Sequence, residues 1–412
     1  MASMIHGNNT SGSTSFAARP NLAPVETLPS PSAGGCAFSF AGDKKNISII
    51  GVGRLGLVTA LCFEKAGYNV LGVDIFPDYV ESINDRTLRS SEPHVEEMLS
   101  KAKNLWATCD FDAALSHSDF IFLLVDTPST GGKRHYDVTK LGRVLTQINN
   151  AKVSNKHVII CCTVLPGYIR DIGLHLLRDT TNCTLSYNPE FIAQGAIVTG
   201  FLNPDIVLIG EGSKEAGDEL EEMYHNICDN KPSIQRMSQS SAEICKISIN
   251  CYVTMKIAYA NTISDIAAKT PGADATEILR AVGHDSRVGT KCLMPGWGFG
   301  GPCFPRDNRA LAGYAESIGV PPLLARATDA SNEVHAQLQA EQLLAEDRKV
   351  YEFETVTFKE PCSVPIIEES QKLVVGSIIA KAGKKVVVRD RTEVLNAVRA
   401  EYGGIFTYEE TA

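Results

Sequence analysis

The 412-residue sequence has no C-x-x-C pair, no H-E-x-x-H spacing and no His-Cys cluster, although it holds 12 cysteines and 9 histidines. Without such spacings a structural zinc has no ligand set, so no metal is expected. The cysteines are scattered, with Cys161 and Cys162 adjacent, which speaks against a disulfide framework and for a reducing, cytoplasmic setting. Basic residues are in deficit: 39 Lys and Arg face 48 Asp and Glu, a formal net charge of −9. Nucleic acid, which asks for a basic face to replace phosphate counterions, is therefore not an expected partner. Long apolar runs are missing as well. The longest, 120–125 and 158–165, fall far short of the roughly 20 residues that cross a bilayer, and no membrane partner is expected.

What is present reads as α/β. Residues 1–45 are rich in Ser, Gly, Ala, Pro and Asn, carry few charges, and read as a disordered tail. From Asn46, strand-like runs at 47–50, 70–73, 120–125, 158–162 and 206–209 alternate with longer amphipathic segments. That alternation is the pattern of a mostly parallel sheet with crossover helices. Strand signals vanish between about 215 and 340, where apolar residues recur at helical spacing, most clearly over 241–269. Strand and helix then alternate again at 351–358, 368–382, 385–388 and 395–402. The expected domains are a Rossmann-like unit at 46–215, a central helical domain at 216–340 and a short C-terminal α/β domain at 341–412.

Ile47-Ser-Ile-Ile-Gly51-Val52-Gly53-Arg54-Leu55-Gly56 sets G-x-G-x-x-G directly after a strand and at the start of a helical pattern. Gly51 permits the tight turn, Gly53 the approach of backbone to a pyrophosphate, and Gly56 the packing of helix on strand, while the helix N-terminus attracts phosphate. The next strand ends at Asp74, 18 residues after Gly56. An acid there accepts from a ribose 2′-hydroxyl and repels a 2′-phosphate, which points to NAD rather than NADP.

The most unusual stretch is Pro295-Gly-Trp-Gly-Phe-Gly300-Gly-Pro302-Cys303-Phe-Pro-Arg-Asp307. So much Gly and Pro shapes the backbone for close approach rather than for a regular element. A thiol there can trap the aldehyde that hydride removal from an alcohol leaves; a second hydride removal gives a thioester, which water cleaves to the acid. Cys62, Cys161, Cys162, Cys245 and Cys251 lie in apolar patterns and read as packing residues. Lys246 and Asn250 stand at i and i+4 of one helix, where a lysine can stabilise an alkoxide or oxyanion and an asparagine can orient the same oxygen. Glu190 follows a strand ending near Tyr187, at the sheet edge where ligands bind. These residues leave open a two-electron β-hydroxyacid-type dehydrogenase and a non-catalytic NAD-binding partner.

Taken in order, these motifs resemble the UDP-glucose/GDP-mannose dehydrogenase family. The likeness runs over about 46–340: the glycine fingerprint with Asp74, Val125-Asp-Thr127-Pro128, Cys162-Thr163-Val, Asn188-Pro-Glu190-Phe191, Lys246 with Asn250, Arg287-Val-Gly, and Gly300-Gly-Pro-Cys303-Phe-Pro-Arg-Asp307. The resemblance implies an N-terminal NAD domain, a central helical domain that makes a homodimer, and a C-terminal domain that holds the nucleotide of a nucleotide sugar. It implies Cys303 as nucleophile, Lys246 and Asn250 on the reacting oxygen, and Asp307 with Thr163 activating water, with Glu190 in the same proton network. Thr127 and Thr163 fall beside the cofactor, and Phe191, Gly300 and Lys359 beside the substrate. Arg287 matches an arginine that reaches a neighbouring subunit's substrate. Departures are Tyr79 where a lysine is common, Gln194 for an acidic residue, Pro302 for a serine, and a C-terminal domain that reads Cys362-Ser-Val-Pro and Glu368-Glu-Ser370 where other elements are expected and ends before an expected last strand. The lack of a Pro-Glu-Arg-Val type motif points away from N-acetylhexosamine substrates and toward UDP-glucose ahead of GDP-mannose or UDP-galactose.

Overall fold

A computed structural model of the chain describes residues 43–130 and 136–411. The expected N-terminal tail lies, but for its last three residues, outside them. Eight strands build the larger sheet: β1 (Asn46–Ile50), β2 (Asn69–Val73), β3 (Leu105–Thr108), β4 (Phe120–Leu123), β5 (His157–Ile160), β6 (Thr184–Tyr187), β7 (Ile206–Glu211) and β8 (Ser233–Ser238). Their order is β3-β2-β1-β4-β5-β6-β7-β8, parallel throughout except where β6 meets β7. The central strands are apolar on both faces, with Ile47, Ile49, Phe120, Phe122, Val158 and Ile159 all buried, because helices cover both sides. The strand order reverses between β1 and β4, and the crevice at the C-terminal strand ends there is the place where an open α/β sheet binds its ligand.

Three strands escape the sequence reading: β3, β8 and, after the helix near 402 where the chain is expected to stop short of a last strand, Thr407–Glu410. β3 is only four residues long, and β8 falls inside the stretch expected to lack strands. β8 reads Ser-Ile-Gln-Arg-Met-Ser, a half-exposed edge strand whose polar alternation carries little apolar signal. The first domain's sheet therefore ends at Ser238 rather than near 215. Its last residue, Ser238, caps the next helix by accepting from the Ser241 amide.

That helix, Gln239–Ala268, is 30 residues long and opens the helical region, followed by helices Ala275–His284, Phe304–Ser317 and Leu323–Ala345. A three-stranded parallel sheet closes the chain, β9 (Val350–Glu354), β10 (Lys385–Asp390) and β11 (Thr407–Glu410), in the order β11-β10-β9 with its own buried core. β9 stops at Glu354 instead of 358 because Thr355 takes a φ of 48°, which no strand accommodates. In the same way the helix expected from 368 begins at Gln371, since Glu369 has a φ of 48°. No described helix is long and apolar enough to cross a membrane, and no group of three or more potential metal ligands occurs among the described residues.

Candidate active site

The turn after β1 is built for a close visitor. Gly51 has a φ of 91°, and a Cβ on Gly56 would lie 1.9 Å from the Gly51 carbonyl oxygen, so neither position accepts a side chain. Gly53, by contrast, faces open space. The helix Arg54–Lys65 that starts beside it has no side-chain cap, which leaves its first amides free for an anion. Asp74 stands at the end of β2, and a cavity of about 1100 Å³ lined by Gly51, Gly53, Arg54, Asp74, Tyr79 and Val125 opens beside it. Tyr79 donates to the Val52 carbonyl at 2.9 Å and so braces the glycine turn. Arg54 donates to Gln194, linking the turn to the segment after β6.

Across the crevice, Asp307 is completely buried, and among the described residues the three side chains bonded to its carboxyl are all donors. Tyr136 Oη gives to Oδ1 at 2.8 Å, Asn250 Nδ2 to Oδ2 at 2.7 Å, and Arg306 Nε to Oδ1 at 3.0 Å. A donor-only shell suits an ionised carboxylate. Arg306 also lies 4.8 Å over the Tyr136 ring and donates to the Thr127 carbonyl at 3.4 Å, while the Thr127 hydroxyl donates to the Thr163 carbonyl at 2.9 Å. Lys246 is buried, donates to the Glu190 main-chain oxygen, and sits 4.4 Å over the Phe191 ring. Burial pushes its pKa down, against the pull of Asp307 and Cys303.

Cys303 is the N-cap of helix Phe304–Ser317, and its side chain makes no capping bond. Solvent reaches the residue. The groups crowding it still push the thiol pKa up, chiefly by desolvation, while Arg306 and Lys246 draw it back and Asp307 and Glu368 add to the rise.

The Gly-rich segment before Cys303 is held from two long helices. From Gln239–Ala268, Asn261 exchanges bonds with Gly296 and Trp297 at 3.1 and 3.2 Å. From Leu323–Ala345, Asn332 does so with Phe299 at 2.8 and 2.9 Å, and His335 bridges Asp265 and the Gly296 carbonyl at 2.9 Å each. Side chains are excluded at Gly300, whose Cβ would meet the Glu369 oxygen at 2.3 Å, and at Gly301, where it would meet Phe358 at 2.4 Å. The C-terminal domain therefore packs directly on the cysteine segment, and Lys359, next to Phe358, is carried to the same region with its Nζ 5.8 Å from the Phe358 ring.

Two domains of one family match along this chain: the UDP-glucose/GDP-mannose dehydrogenase NAD-binding domain over residues 45–228 and the central domain over 240–334. A UDP-glucose 6-dehydrogenase of Haloferax volcanii is 32% identical over 298 residues, 68% of each chain. The chain belongs to the UDP-glucose/GDP-mannose dehydrogenase family. A GDP-mannose 6-dehydrogenase of Pseudomonas aeruginosa is equally similar, 32% identical over 288 residues, covering 66% of this chain and 65% of that one. Among solved structures, a UDP-glucose dehydrogenase from Pyrobaculum islandicum superposes with a TM-score of 0.80 at 27% identity, over 89% of this chain and 86% of that one.

Membership in this family of nucleotide-sugar 6-dehydrogenases makes NAD the cofactor, and the glycine cradle, the uncapped helix and Asp74 fit it. Replacing Asp74 with Ser is expected to narrow the preference for NAD over NADP by about tenfold to a hundredfold, or roughly 1.4 to 2.8 kcal/mol. Fluorescence titration of both cofactors checks this; an unchanged ratio removes Asp74 from ribose recognition.

Of the residues singled out in the sequence, Lys246 touches Glu190 and Phe191, Asn250 touches Asp307, and Lys246 and Asp307 exert charge on each other and on the Cys303 thiol. Thr127 and Thr163 join the same network through Arg306. Arg287 stands apart, exposed and forked onto Asp285 at 2.8 and 2.9 Å. The Glu190 carboxyl shares a hydrogen bond of 2.9 Å with the Tyr224 hydroxyl rather than with any group bound to Asp307. Sequence reasoning missed Tyr136, Arg306 and Tyr224. Arg306 had a signal, sitting between Pro305 and Asp307 in the cysteine motif; the two tyrosines had none.

Proposed function

We propose that this chain oxidises the C6 alcohol of UDP-glucose to the carboxylate of UDP-glucuronate in two NAD-dependent steps, through a thiohemiacetal and then a thioester on Cys303. The observation that carries the reading is the convergence on one crevice of a solvent-reached thiol, a buried lysine and a buried carboxylate with an asparagine on it. Bound NAD supplies the hydride acceptor. Lys246 and Asn250 stabilise the reacting oxygen as its negative charge grows. Asp307, with Thr163 nearby, receives the proton of the attacking water, and Phe191, Gly300 and Lys359 shape the sugar and nucleotide subsites. The choice of UDP-glucose is supported by relatives that bear that activity in their names, although others are named for GDP-mannose. A cytosolic setting is supported by eleven unpaired cysteines among the described residues.

A homodimer is part of this reading. Tyr252, Tyr259 and Ile266 recur every seven residues along the long helix and are 56%, 49% and 56% exposed, an apolar stripe suited to a second copy. Arg287, which has no role in its own crevice, then serves a neighbour's substrate.

Incubation with NAD and a panel of UDP- and GDP-sugars, reading NADH and product mass together, tests the assignment. Two NADH per UDP-glucose and a product two hydrogens poorer and one oxygen richer are expected. One NADH per sugar would defeat the four-electron reading, and turnover on GDP-mannose alone would replace the substrate.

A further inference from the structure

We propose that the two carboxyl groups flanking Lys246 rest in opposite protonation states, Asp307 as a carboxylate and Glu190 as a neutral acid, with Tyr224 as the positioning residue that fixes the second. The catalytic meaning of this difference rests on the reaction proposed above; the protonation states themselves do not.

The geometry around Tyr224 is over-supplied with acceptors. Its hydroxyl lies 2.7 Å from Asn188 Oδ1 and 2.9 Å from Glu190 Oε1, and a phenol has one proton to give. The Asn188 amide cannot turn round to help. Its Nδ2 donates to the Leu208 carbonyl at 3.0 Å, and reversing it would set oxygen against oxygen. Asn188 and Tyr224 are both buried, so a facing pair of lone pairs would have no water to relieve it. The arrangement is satisfied in full only when the Tyr224 proton goes to Asn188 and Glu190 supplies the second proton, donating to the Tyr224 oxygen.

The groups that face Glu190 from every neighbouring element agree with this. Cys62 comes from the helix after β1, Cys161 from the end of β5, and Tyr224 and Cys228 from helix Lys214–Ile227 and its end; burial raises the pKa of each, so all are neutral. Lys246 is the one cation acting on it among the described residues, and its ammonium is engaged with the Glu190 main-chain oxygen and the Phe191 ring rather than with the carboxyl. Burial carries Glu190 up to about 7, the direction a neutral acid requires. Asp307 sits in the opposite environment, with donors only. Two carboxyls so separated divide the proton traffic: Glu190 can give a proton to the site, and Asp307 can receive one.

Infrared spectroscopy of the full-length, NAD-bound protein reads the state directly. In the difference between wild type and Glu190→Gln, a protonated-carboxyl C=O band is expected at about pH 6, well above the pKa near 4.3 of an ordinary glutamate. Cys303→Ser should keep the band. Tyr224→Phe removes the acceptor for the Glu190 proton, so the band should vanish at a pH about one unit lower than in wild type. Its vanishing at a higher pH, as the loss of a donor to a carboxylate would give, overturns the proposal, as does the lack of any band at about pH 6.

Thermal unfolding gives a second reading. An acid with a raised folded-state pKa binds its proton in the folded chain but loses it in the unfolded chain between about 4.3 and 7, so stability falls as pH rises through that window. Glu190→Gln keeps a donor for Tyr224 but has no charge to form, and its Tm should pull ahead of wild type above about pH 7 while matching it below about pH 5. Parallel pH profiles would overturn the proposal. A protein inactive on every nucleotide sugar would sink the proposed reaction and leave the band in place, whereas a missing band sinks only this inference.

Discussion

Replacing Cys303 with Ser is expected to leave NAD binding as it is and to cut carboxylate formation by three orders of magnitude or more, about 4 kcal/mol of transition-state stabilisation. A serine hydroxyl is a far weaker nucleophile than a thiolate near neutral pH, so the aldehyde is not held for the second oxidation. The structure makes this substitution unusually clean. Cys303 is an N-cap residue that makes no capping bond, and serine is among the best N-caps, so the helix Phe304–Ser317 should not lose stability. The loss cannot then be ascribed to unfolding, and equal Tm values for both proteins would document that. NADH release and product mass over a single turnover provide the measurement. A serine variant that still yields two NADH per sugar would remove Cys303 from the mechanism.

The second large effect is expected at Asp307. In Asp307→Asn one carboxylate oxygen becomes an NH2, which meets the Arg306 donor in one orientation and in the other forces the Asn250 amide to turn round. Arg306, largely buried, also loses its only ion-pair partner among the described residues. Breaking a buried pair in this way costs about 3 kcal/mol or more, which should appear as an earlier midpoint in denaturant. Asp307 is also the strongest influence holding the Lys246 ammonium charged against burial, so the variant should lower the lysine's pKa. A fall in kcat of about a hundredfold is expected together with an altered pH profile. If stability and pH profile both stay at wild-type values, the donor shell seen around Asp307 does not hold in solution.

How much of this was legible beforehand depends on whether the signal is local. The cofactor turn was readable because strand, glycines, helix start and Asp74 all lie within 30 residues and each has its own physical reason. The cysteine segment was readable because such a density of Gly and Pro has no use in a regular element. Lys246 and Asn250 were readable because helical spacing puts them on one face. Tyr136 and Tyr224 were not, since their partners are Asp307, 171 residues away, and Asn188 and Glu190, 36 and 34 residues away. No periodicity connects such pairs; only the packed chain does. One strand end and one helix start failed for another reason: Thr355 and Glu369 adopt left-handed backbone conformations that nothing in their residue types announces.

The helix Gln239–Ala268 carries Lys246 and Asn250 for the chemistry, and Asn261 and Asp265 for holding the cysteine segment. At 1.5 Å per residue, Lys246 and Asp265 stand about 28 Å apart on one rod, and each residue along it turns by about 100°. Adding or deleting a single residue between Asn250 and Asn261 would leave all four side chains present but swing one pair about 100° away from the other. Length across those eleven steps is thus under as tight a constraint as the identity of the residues themselves, and this stretch should tolerate many substitutions on its outer face but no insertion.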